Sequence, residues 1–177
     1  KGELNDNMVV STVMSNIGFY KAIEENELQS VKTAVGDRYV VEEMRKNDYS
    51  LGGEQSGHIV LMNYATTGDG ILTAVKLANI IKTSGKSLEE LASEVNIYPQ
   101  KLVNIKVVDK KTAMEDAEIL AECEKVEKEL EGNGRILLRA SGTENLIRVM
   151  VEASSDELTD KYCEQVAKIV REKFEVK

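Results

Sequence analysis

Residues 8–35 read MVVSTVMSNIGFYKAIEENELQSVKTAV, and this stretch decides the fold class. Its first part, Met8 to Thr12, has the pattern of a buried strand, and Val31 to Val35 predicts a second strand. Between them, the segment through Phe19 and Ile23 predicts a helix. A strand, a helix and another strand in this order are typical of an α/β domain.

The alternation of strands and helices continues through the next part of the chain. Apolar spacing predicts a helix from Tyr39 to Lys46, and two short strands flank Gly53–Gly57. Asp69 stands where it can cap a long helix, and Ser87–Glu90 has the spacing of a capping box. We therefore predict that residues 1–101 form an α/β domain with a mixed sheet covered by helices.

The only proline, Pro99, marks the predicted junction, and residues 102–177 have a different pattern. A strand is expected from Leu102 to Val108, and two more flank the segment from Ala140 to Leu146. Two helices are expected around them, the second capped by Ser155. Their apolar faces are Ile119, Cys123, Val126 and Leu130 in one and Leu158, Tyr162, Val166 and Ile169 in the other. This order predicts a small α+β domain.

Composition narrows the possible functions. The net charge of −8 and the pI near 4.9 disfavour nucleic-acid binding, which needs a dense basic surface. No apolar run approaches the roughly 20 residues that a membrane helix requires. Cys123 and Cys163 each lie in a helical pattern, so two core thiols are favoured over a disulfide, and no zinc-ligand spacing accompanies them.

The segment RASGTENLIR, Arg139 to Arg148, has the residue types of a phosphate-binding loop. Arginine offers a planar fork that binds two phosphate oxygens, and Ser141 and Thr143 add hydroxyl donors. A positive φ at Gly142 would let successive N–H groups form an anion nest. On residue types alone, a polar hairpin turn with surface arginines explains the segment about equally well.

The segment GGEQSGH, Gly52 to His58, predicts a tight exposed loop between two strands. Glu54 and Ser56 can both bind vicinal hydroxyl groups of a sugar. His58 is the only histidine, and a lone histidine at the start of a strand is more often structural. Composition alone is equally consistent with an ordinary glycine-rich turn.

Two further segments have simpler explanations. In VGDRY, a glycine ends a strand, Asp37 can cap the next helix, and Arg38 is a surface cation unless a ligand recruits it. In TTGDG, Asp69 is one carboxylate among glycines, which is too few ligands for magnesium. Helix capping therefore explains Asp69 better, and we predict no metal site in this chain.

Together these segments resemble the α-D-phosphohexomutase family. Glu54–His58 resembles its sugar-binding loop, Gly-Glu-x-Ser-Gly-His, and Arg139–Arg148 resembles the phosphate-binding loop of its last domain. The segments Val35–Val40 and Thr66–Gly70 are similar to those of the branch that acts on glucosamine phosphates. All four occur in the family's order, and the resemblance covers essentially the whole chain. Asn145 departs from the family's common proline, but it removes no phosphate ligand.

The resemblance implies a fold and a set of site residues. The family has four domains around one cleft, and this chain matches the third, an α/β domain, and the fourth, a small TATA-binding-protein-like domain. The domain limits follow as 1–101 and 102–177. The implied sugar-binding residues are Glu54, Ser56, His58 and Arg38, of which His58 and Arg38 are possible auxiliary catalytic groups. The implied phosphate-binding residues are Arg139, Ser141, Gly142, Thr143 and Arg148.

The same resemblance implies what the chain lacks. The family's phosphorylated serine and its magnesium loop, Asp-Gly-Asp-x-Asp-Arg, belong to the first two domains, and neither segment occurs here. Phosphoryl transfer needs both the nucleophile and the metal. We therefore expect an inactive C-terminal fragment whose partners are the first two domains and a phosphorylated amino sugar. The whole enzyme is expected to use magnesium in the cytoplasm, and to supply cell-wall precursor synthesis.

Two alternatives stay open at this point. A mutase of the hexose branch, acting on mannose or glucose phosphates, is the first, although the Gly36–Tyr39 segment favours glucosamine. The second is a free-standing, non-catalytic phosphosugar-binding module. The chain starts at Lys1 and continues into a strand without a capping segment or tag. We therefore expect a piece of a longer protein instead.

Overall fold

The computed structural model describes residues 2–176, and its chain divides between Ile97 and Tyr98. The first unit contains a 3₁₀ turn at Asn5–Asn7, followed by β1 Met8–Thr12, α1 Ile17–Glu25, β2 Gln29–Thr33, α2 Asp37–Asn47, β3 Leu51–Gly53, β4 Ile59–Leu61, α3 Gly70–Ser84 and α4 Leu88–Ala92. The second contains β5 Gln100–Lys106, α5 Lys110–Met114, α6 Ala117–Leu130, β6 Arg135–Ala140, β7 Leu146–Glu152 and α7 Asp156–Phe174.

The division falls four residues before the predicted limit of 101/102. Strand β5 begins at Gln100, which pairs with Glu152 of β7, so the residues just after Pro99 already belong to the second sheet. Pro99 itself accepts a hydrogen bond from the Ala153 N–H. The predicted strand started at Leu102 because Gln100 and Lys101 lack apolar side chains, whereas backbone pairing includes them.

The first unit is built on a mixed sheet with the order β2-β1-β3-β4. Strand β1 runs parallel to both neighbours, and β4 pairs antiparallel to β3. On one face, α2 packs Val40 and Met44 against Val10 and Val60. Gly52 permits this close approach, since a Cβ there would lie 2.5 Å from the Met44 Sδ. The predicted α/β class is confirmed.

The opposite face of this sheet carries an open apolar groove. One cavity of about 310 Å³ lies between the sheet and α1, and another of about 660 Å³ lies between the sheet and α3. Both are lined by Leu51 and Ile59, so they adjoin over the same strands. Helix α3 has no buried residue, and its Leu77 and Ile80, which line the second cavity, are 37% and 47% exposed. This side of the unit therefore lacks a complete cover within the described chain.

The second unit has an antiparallel sheet with the order β5-β7-β6, as an α+β domain requires. Its inward residues on β7, Ile147, Val149 and Val151, join a core that α6 and α7 cover. The predicted helix faces are confirmed, since Ile119, Val126, Tyr162 and Val166 are buried there. Sequence analysis missed the five-residue helix α5, because it is too short to show an apolar period.

Helix capping follows the sequence in most places. Asp69 accepts hydrogen bonds from Ile71 N and Leu72 N, Ser87 and Glu90 form the capping box, and Ser155 accepts one from Leu158 N. Helix α2 is the exception, because Gly36 occupies its cap position and Asp37 begins the helix. No helix among residues 2–176 is both long and apolar enough to cross a membrane.

Both cysteines are free thiols in the second unit. Cys163 is fully buried and donates its S–H to the Val149 carbonyl at 3.4 Å, whereas Cys123 is partly buried. Burial raises the pKa of each thiol to about 11. Since the thiolate is the reactive species, both side chains behave as core residues.

One buried ion pair joins β6 to β7. Arg135 donates from Nε and Nη2 to the two carboxylate oxygens of Glu152, at 2.7 and 3.2 Å. The side chains are 14% and 0% exposed. A two-pronged pair in this position selects one register of the two strands, because a shift by one residue would turn Glu152 to the other face.

Replacing Arg135 by Met should destabilise the second unit by about 3 kcal/mol, because it leaves a buried carboxylate without its guanidinium. Native-state hydrogen exchange of the Val149 and Val151 amides measures this change separately from the first unit. Lys168→Met is the matched control, since Lys168 and Glu172 form an exposed pair. A loss below about 1 kcal/mol would show that the ion pair does not stabilise the sheet.

Candidate functional site

The carboxyl ends of three parallel strands meet at one edge of the first sheet. Strand β1 ends at Thr12, β2 at Thr33 and β3 at Gly53. In open α/β sheets this edge is where ligands bind, because the loops that leave it converge there. The segments containing Gly36 and Glu54 both begin at this edge.

The loop after β3 is a closed turn. The Glu54 N–H donates to the His58 carbonyl at 2.9 Å, and the Gly57 N–H donates to the Glu54 carbonyl at 3.0 Å. Gly57 has a φ of 97°, a conformation that side chains with a Cβ rarely adopt. Glu54 is half-buried, whereas Ser56 and His58 are exposed. The predicted tight, exposed loop is therefore present.

Three predicted sugar-binding side chains lie together on this loop. The Ser56 hydroxyl donates to Glu54 Oε2 at 3.4 Å and lies 3.1 Å from His58 Nδ1. Glu54 Oε1 also accepts a hydrogen bond from Gly36 N at 2.8 Å, so the loops after β2 and β3 are joined. The cluster holds hydroxyl, carboxylate and imidazole groups within hydrogen-bond reach of one another.

Arg38, the fourth predicted sugar-binding residue, contacts a different side chain. Its Nε donates to Glu42 at 2.7 Å on the exposed surface of α2, and this hydrogen bond raises the pKa of the guanidinium. The Arg38 N–H donates to Asp37 Oδ1, so Asp37 holds the first turn without being the cap. The contact between this segment and the Glu54 loop is the hydrogen bond from the Gly36 N–H to Glu54 Oε1.

In the second unit, Arg139 of β6 lies directly opposite Arg148 of β7. Directly opposed side chains share a face of the sheet, and like charges in that position repel each other. The Nε atoms of both arginines are buried and make no hydrogen bond with the described residues. Burial, and secondarily the charge of Arg148, lowers the pKa of Arg139. Two unpaired guanidinium donors held side by side have the charge and the hydrogen-bond donors to bind an anion.

The loop between these strands presents backbone donors next to the arginines. It is closed by a hydrogen bond from Ser141 N to the Leu146 carbonyl, and the Ser141 hydroxyl accepts one from Glu144 N. The N–H groups of Gly142 and Thr143 donate to no acceptor among residues 2–176. The loop thus has the donor groups that a phosphate requires.

One prediction about this loop is wrong. Gly142 was expected to take a positive φ, but it is absent from the residues with that conformation. The hydrogen bond from Glu144 N to the Ser141 hydroxyl closes the turn without a left-handed residue. Hydrogen bonds from the Lys110 ammonium to the Ser141 and Glu144 carbonyls also hold it. A Cβ at Gly142 would meet nothing within 4 Å, so the glycine leaves open space.

Sequence analysis did not single out three residues that the structure places at these loops. The Thr12 hydroxyl donates to Gln55 Oε1 at 3.4 Å, and Asn104 of β5 lies beside Arg148 in the sheet register. Lys110 donates from its ammonium to carbonyl groups of the Ser141–Asn145 loop. Thr12 could have been found from its place at a strand end, whereas Asn104 and Lys110 needed the register and the missed helix α5.

Among residues 2–176, no three side chains of the metal-ligating types come together. Asp69, the carboxylate that first invites a metal interpretation, is engaged as the cap of α3. The described residues therefore do not fit a magnesium ion.

Comparison with known protein families matches both units. A family model described as "Phosphoglucomutase/phosphomannomutase, alpha/beta/alpha domain III" matches residues 1–98. A second, described as "Phosphoglucomutase/phosphomannomutase, C-terminal domain", matches residues 102–169.

Curated relatives are highly similar but much longer. Phosphoglucosamine mutase of Staphylococcus carnosus is 60% identical over 172 residues, which is 97% of this chain and 38% of that protein. The enzyme of the same name from Anoxybacillus flavithermus is 59% identical over 174 residues, or 98% and 39%. The chain thus spans under two-fifths of these relatives.

Solved structures share the fold at low sequence identity. N-acetylphosphoglucosamine mutase of Aspergillus fumigatus superimposes with a TM-score of 0.81 at 22% identity, covering 93% of this chain and 38% of that one. The same enzyme in complex with GlcNAc-6P and magnesium gives 0.79 at 21% identity, covering 95% and 42%. With both units matched in order, the chain belongs to the phosphoglucomutase/phosphomannomutase family and comprises its domain III and its C-terminal domain.

Proposed function

We propose that this chain is the C-terminal part of a mutase that interconverts glucosamine 6-phosphate and glucosamine 1-phosphate through a bisphosphorylated intermediate. The proposal is supported by relatives near 60% identity that bear the name phosphoglucosamine mutase. Because the chain is 38% of their length, the reaction is assigned to the full-length protein. This chain would bind substrate and leave the chemistry to the rest of the protein.

The observation that carries the proposal is the unpaired arginine couple. Arg139 and Arg148 face each other with buried, unsatisfied Nε atoms, and the free N–H groups of Gly142 and Thr143 lie in the adjoining loop. A dianionic phosphate relieves the repulsion between the guanidinium groups and fills these donors. We assign Arg139, Ser141, Gly142, Thr143 and Arg148 to the phosphate that is not transferred.

The loop after β3 is assigned to the sugar. Glu54 and Ser56 would accept and donate hydrogen bonds with ring hydroxyls, and His58 would extend the same cluster. Arg38 would join this cluster by exchanging its ion pair with Glu42 for a contact with the sugar. The ion pair is weak, because it is exposed and joins residues four apart on one helix. Arg38 and His58 are proposed as auxiliary groups only.

The nucleophile and the metal are assigned to the rest of the full-length protein. The described residues offer no magnesium ligand set, so the ion that supports phosphoryl transfer would be held by the domains that precede this chain. We place the full-length enzyme in the cytoplasm, where its product would enter cell-wall precursor synthesis.

The uncovered groove supports the proposal that other domains belong to this protein. Leu51 and Ile59 are only half-buried, and Leu77 and Ile80 of α3 are exposed, on a face that a stable α/β/α domain covers. We propose that polypeptide N-terminal to residue 1 in the full-length protein covers this face. The alpha/beta/alpha arrangement that names the matching family domain also supports a covered sheet.

A titration tests the binding loops. The isotope-labelled chain should bind glucosamine 6-phosphate with a Kd near or weaker than about 1 mM, and shifts should appear at Arg139–Arg148 and more weakly at Glu54–His58. Arg148→Ala should cost roughly 1.5–3 kcal/mol and abolish visible binding. Lys128→Ala, which removes an exposed cation from the last turn of α6, is the control.

Three comparison ligands sharpen this titration. Inorganic phosphate should shift the Arg139–Arg148 segment alone, and unphosphorylated glucosamine should shift neither loop. Equal shifts at Glu54–His58 with glucose 6-phosphate would favour the hexose branch. The loop assignment is wrong if Arg148→Ala binds like the unaltered chain.

The chain alone should show no mutase turnover, because it lacks the nucleophile and the metal ligands. A coupled assay for glucosamine 1-phosphate measures this, with the full-length enzyme as the positive control. Turnover by the purified 177-residue chain above the buffer rate would contradict the proposal.

A substitution on α3 tests the covered face. Ile80→Lys should change the stability of the 177-residue chain by less than about 1 kcal/mol, because Ile80 lines the groove and is 47% exposed there. In the full-length protein the same change should destabilise by about 2 kcal/mol or more, since it would bury a charge. Urea unfolding of both proteins measures the difference, and Ile80→Leu is the control. Equal responses in both would mean that the face stays uncovered.

A further inference from the structure

Lys110 lies against the carbonyl side of the phosphate loop. Its ammonium donates to the Ser141 carbonyl at 2.9 Å and to the Glu144 carbonyl at 3.4 Å. The residue is the first of α5, and Asp109 before it caps that helix by accepting from Lys111 N and Thr112 N. These two hydrogen bonds, called the Lys110 clamp, therefore come from a fixed element outside the hairpin.

The contact with Ser141 fixes the direction of a donor. In a trans peptide unit the carbonyl of one residue and the N–H of the next point in opposite directions. When Lys110 holds the Ser141 carbonyl, the Gly142 N–H must point away from Lys110. The same argument applies to the Glu144 carbonyl and the Asn145 N–H.

A further carbonyl of the loop is also held. The Asn145 carbonyl accepts a hydrogen bond from the N–H of Val107, the residue after β5. Three carbonyl groups of the loop are thus held by Val107 and by Lys110 of α5. A carbonyl turned toward a bound phosphate would repel it, so holding these groups elsewhere leaves the donor side clear.

We propose that Lys110 is a positioning residue of the phosphate loop, which aims the backbone donors at the anion without binding the anion itself. The inference rests on the proposed function of the loop and deepens it. Nothing in the segment Arg139–Arg148 reveals this residue, because Lys110 lies 31 positions before Ser141.

The test compares three variants of the chain. Lys110→Met keeps the aliphatic stem and removes the ammonium, whereas Lys110→Arg restores a donor. Lys111→Met is the matched control, because it removes the same charge from the adjacent, exposed position. Amide spectra and hydrogen exchange of the ligand-free chain give the first measurement, and titration with inorganic phosphate gives the second.

We expect Lys110→Met to shift the free-state amide signals of Gly142 and Asn145 and to accelerate exchange at Glu144. Phosphate affinity should fall by about tenfold, the scale of one charged hydrogen bond. Lys110→Arg should stay within about threefold of the unaltered chain, and Lys111→Met should match it.

Two results would overturn the inference. If Lys110→Met loses affinity while its free-state loop signals stay unchanged, the ammonium acts on the anion directly. If Lys111→Met has the same effects as Lys110→Met, the loss is one of general charge. A chain that binds no phosphate would refute the proposed function of the isolated loop, and the free-state signals would then decide the role of Lys110 alone. Should Lys110→Met fail to fold, Lys110→Arg must still show loop signals near those of the unaltered chain.

Discussion

The antiparallel register of β6 and β7 is the constraint on which the second unit depends. It places Arg135 opposite Glu152 at one end of the strands and Arg139 opposite Arg148 four residues later. The first pair is attractive and buried, and the second is repulsive. Because side chains alternate with a period of two, both pairs belong to the same face and to the same register. The attraction between Arg135 and Glu152 can therefore hold Arg139 and Arg148 opposite each other despite their repulsion. A bound phosphate would relieve that repulsion.

In the first unit, strand pairing also brings candidate site residues together, but there the pairing is parallel. Parallel pairing of β1 with β2 and β3 brings three chain segments to one edge, and hydrogen bonds then join the segments. Gly36 N meets Glu54, and Thr12 meets Gln55. The loop is thus supported by neighbouring strand ends, whereas the Ser141–Asn145 loop is supported by a helix and a strand behind it. In both units a candidate loop is held by hydrogen bonds from neighbouring segments, although Arg139 and Arg148 themselves are strand residues.

The sequence predicted the fold classes and most helix starts, because apolar periods and capping residues act locally. Asp69, Ser87 and Ser155 are examples in which a side chain and its own helix contain all of the information. Residue chemistry and family resemblance predicted Arg139 and Arg148 as phosphate ligands, a role that the titration tests. What the sequence could not supply was long-range geometry. The opposition of the two arginines, the place of Asn104 beside them and the clamp by Lys110 all depend on strand register and on a helix too short to show a period.

Gly142 lies in the proposed phosphate-binding loop without being conformationally special. Its backbone is not left-handed, and an added methyl group would meet no neighbouring atom in the folded chain. Selection at this position would therefore act on clearance for an incoming ligand, since folding makes no demand for glycine there. Tolerance to substitution would depend on whether the protein is screened for stability or for binding, and a survey of folded variants alone would wrongly mark the position as free to change.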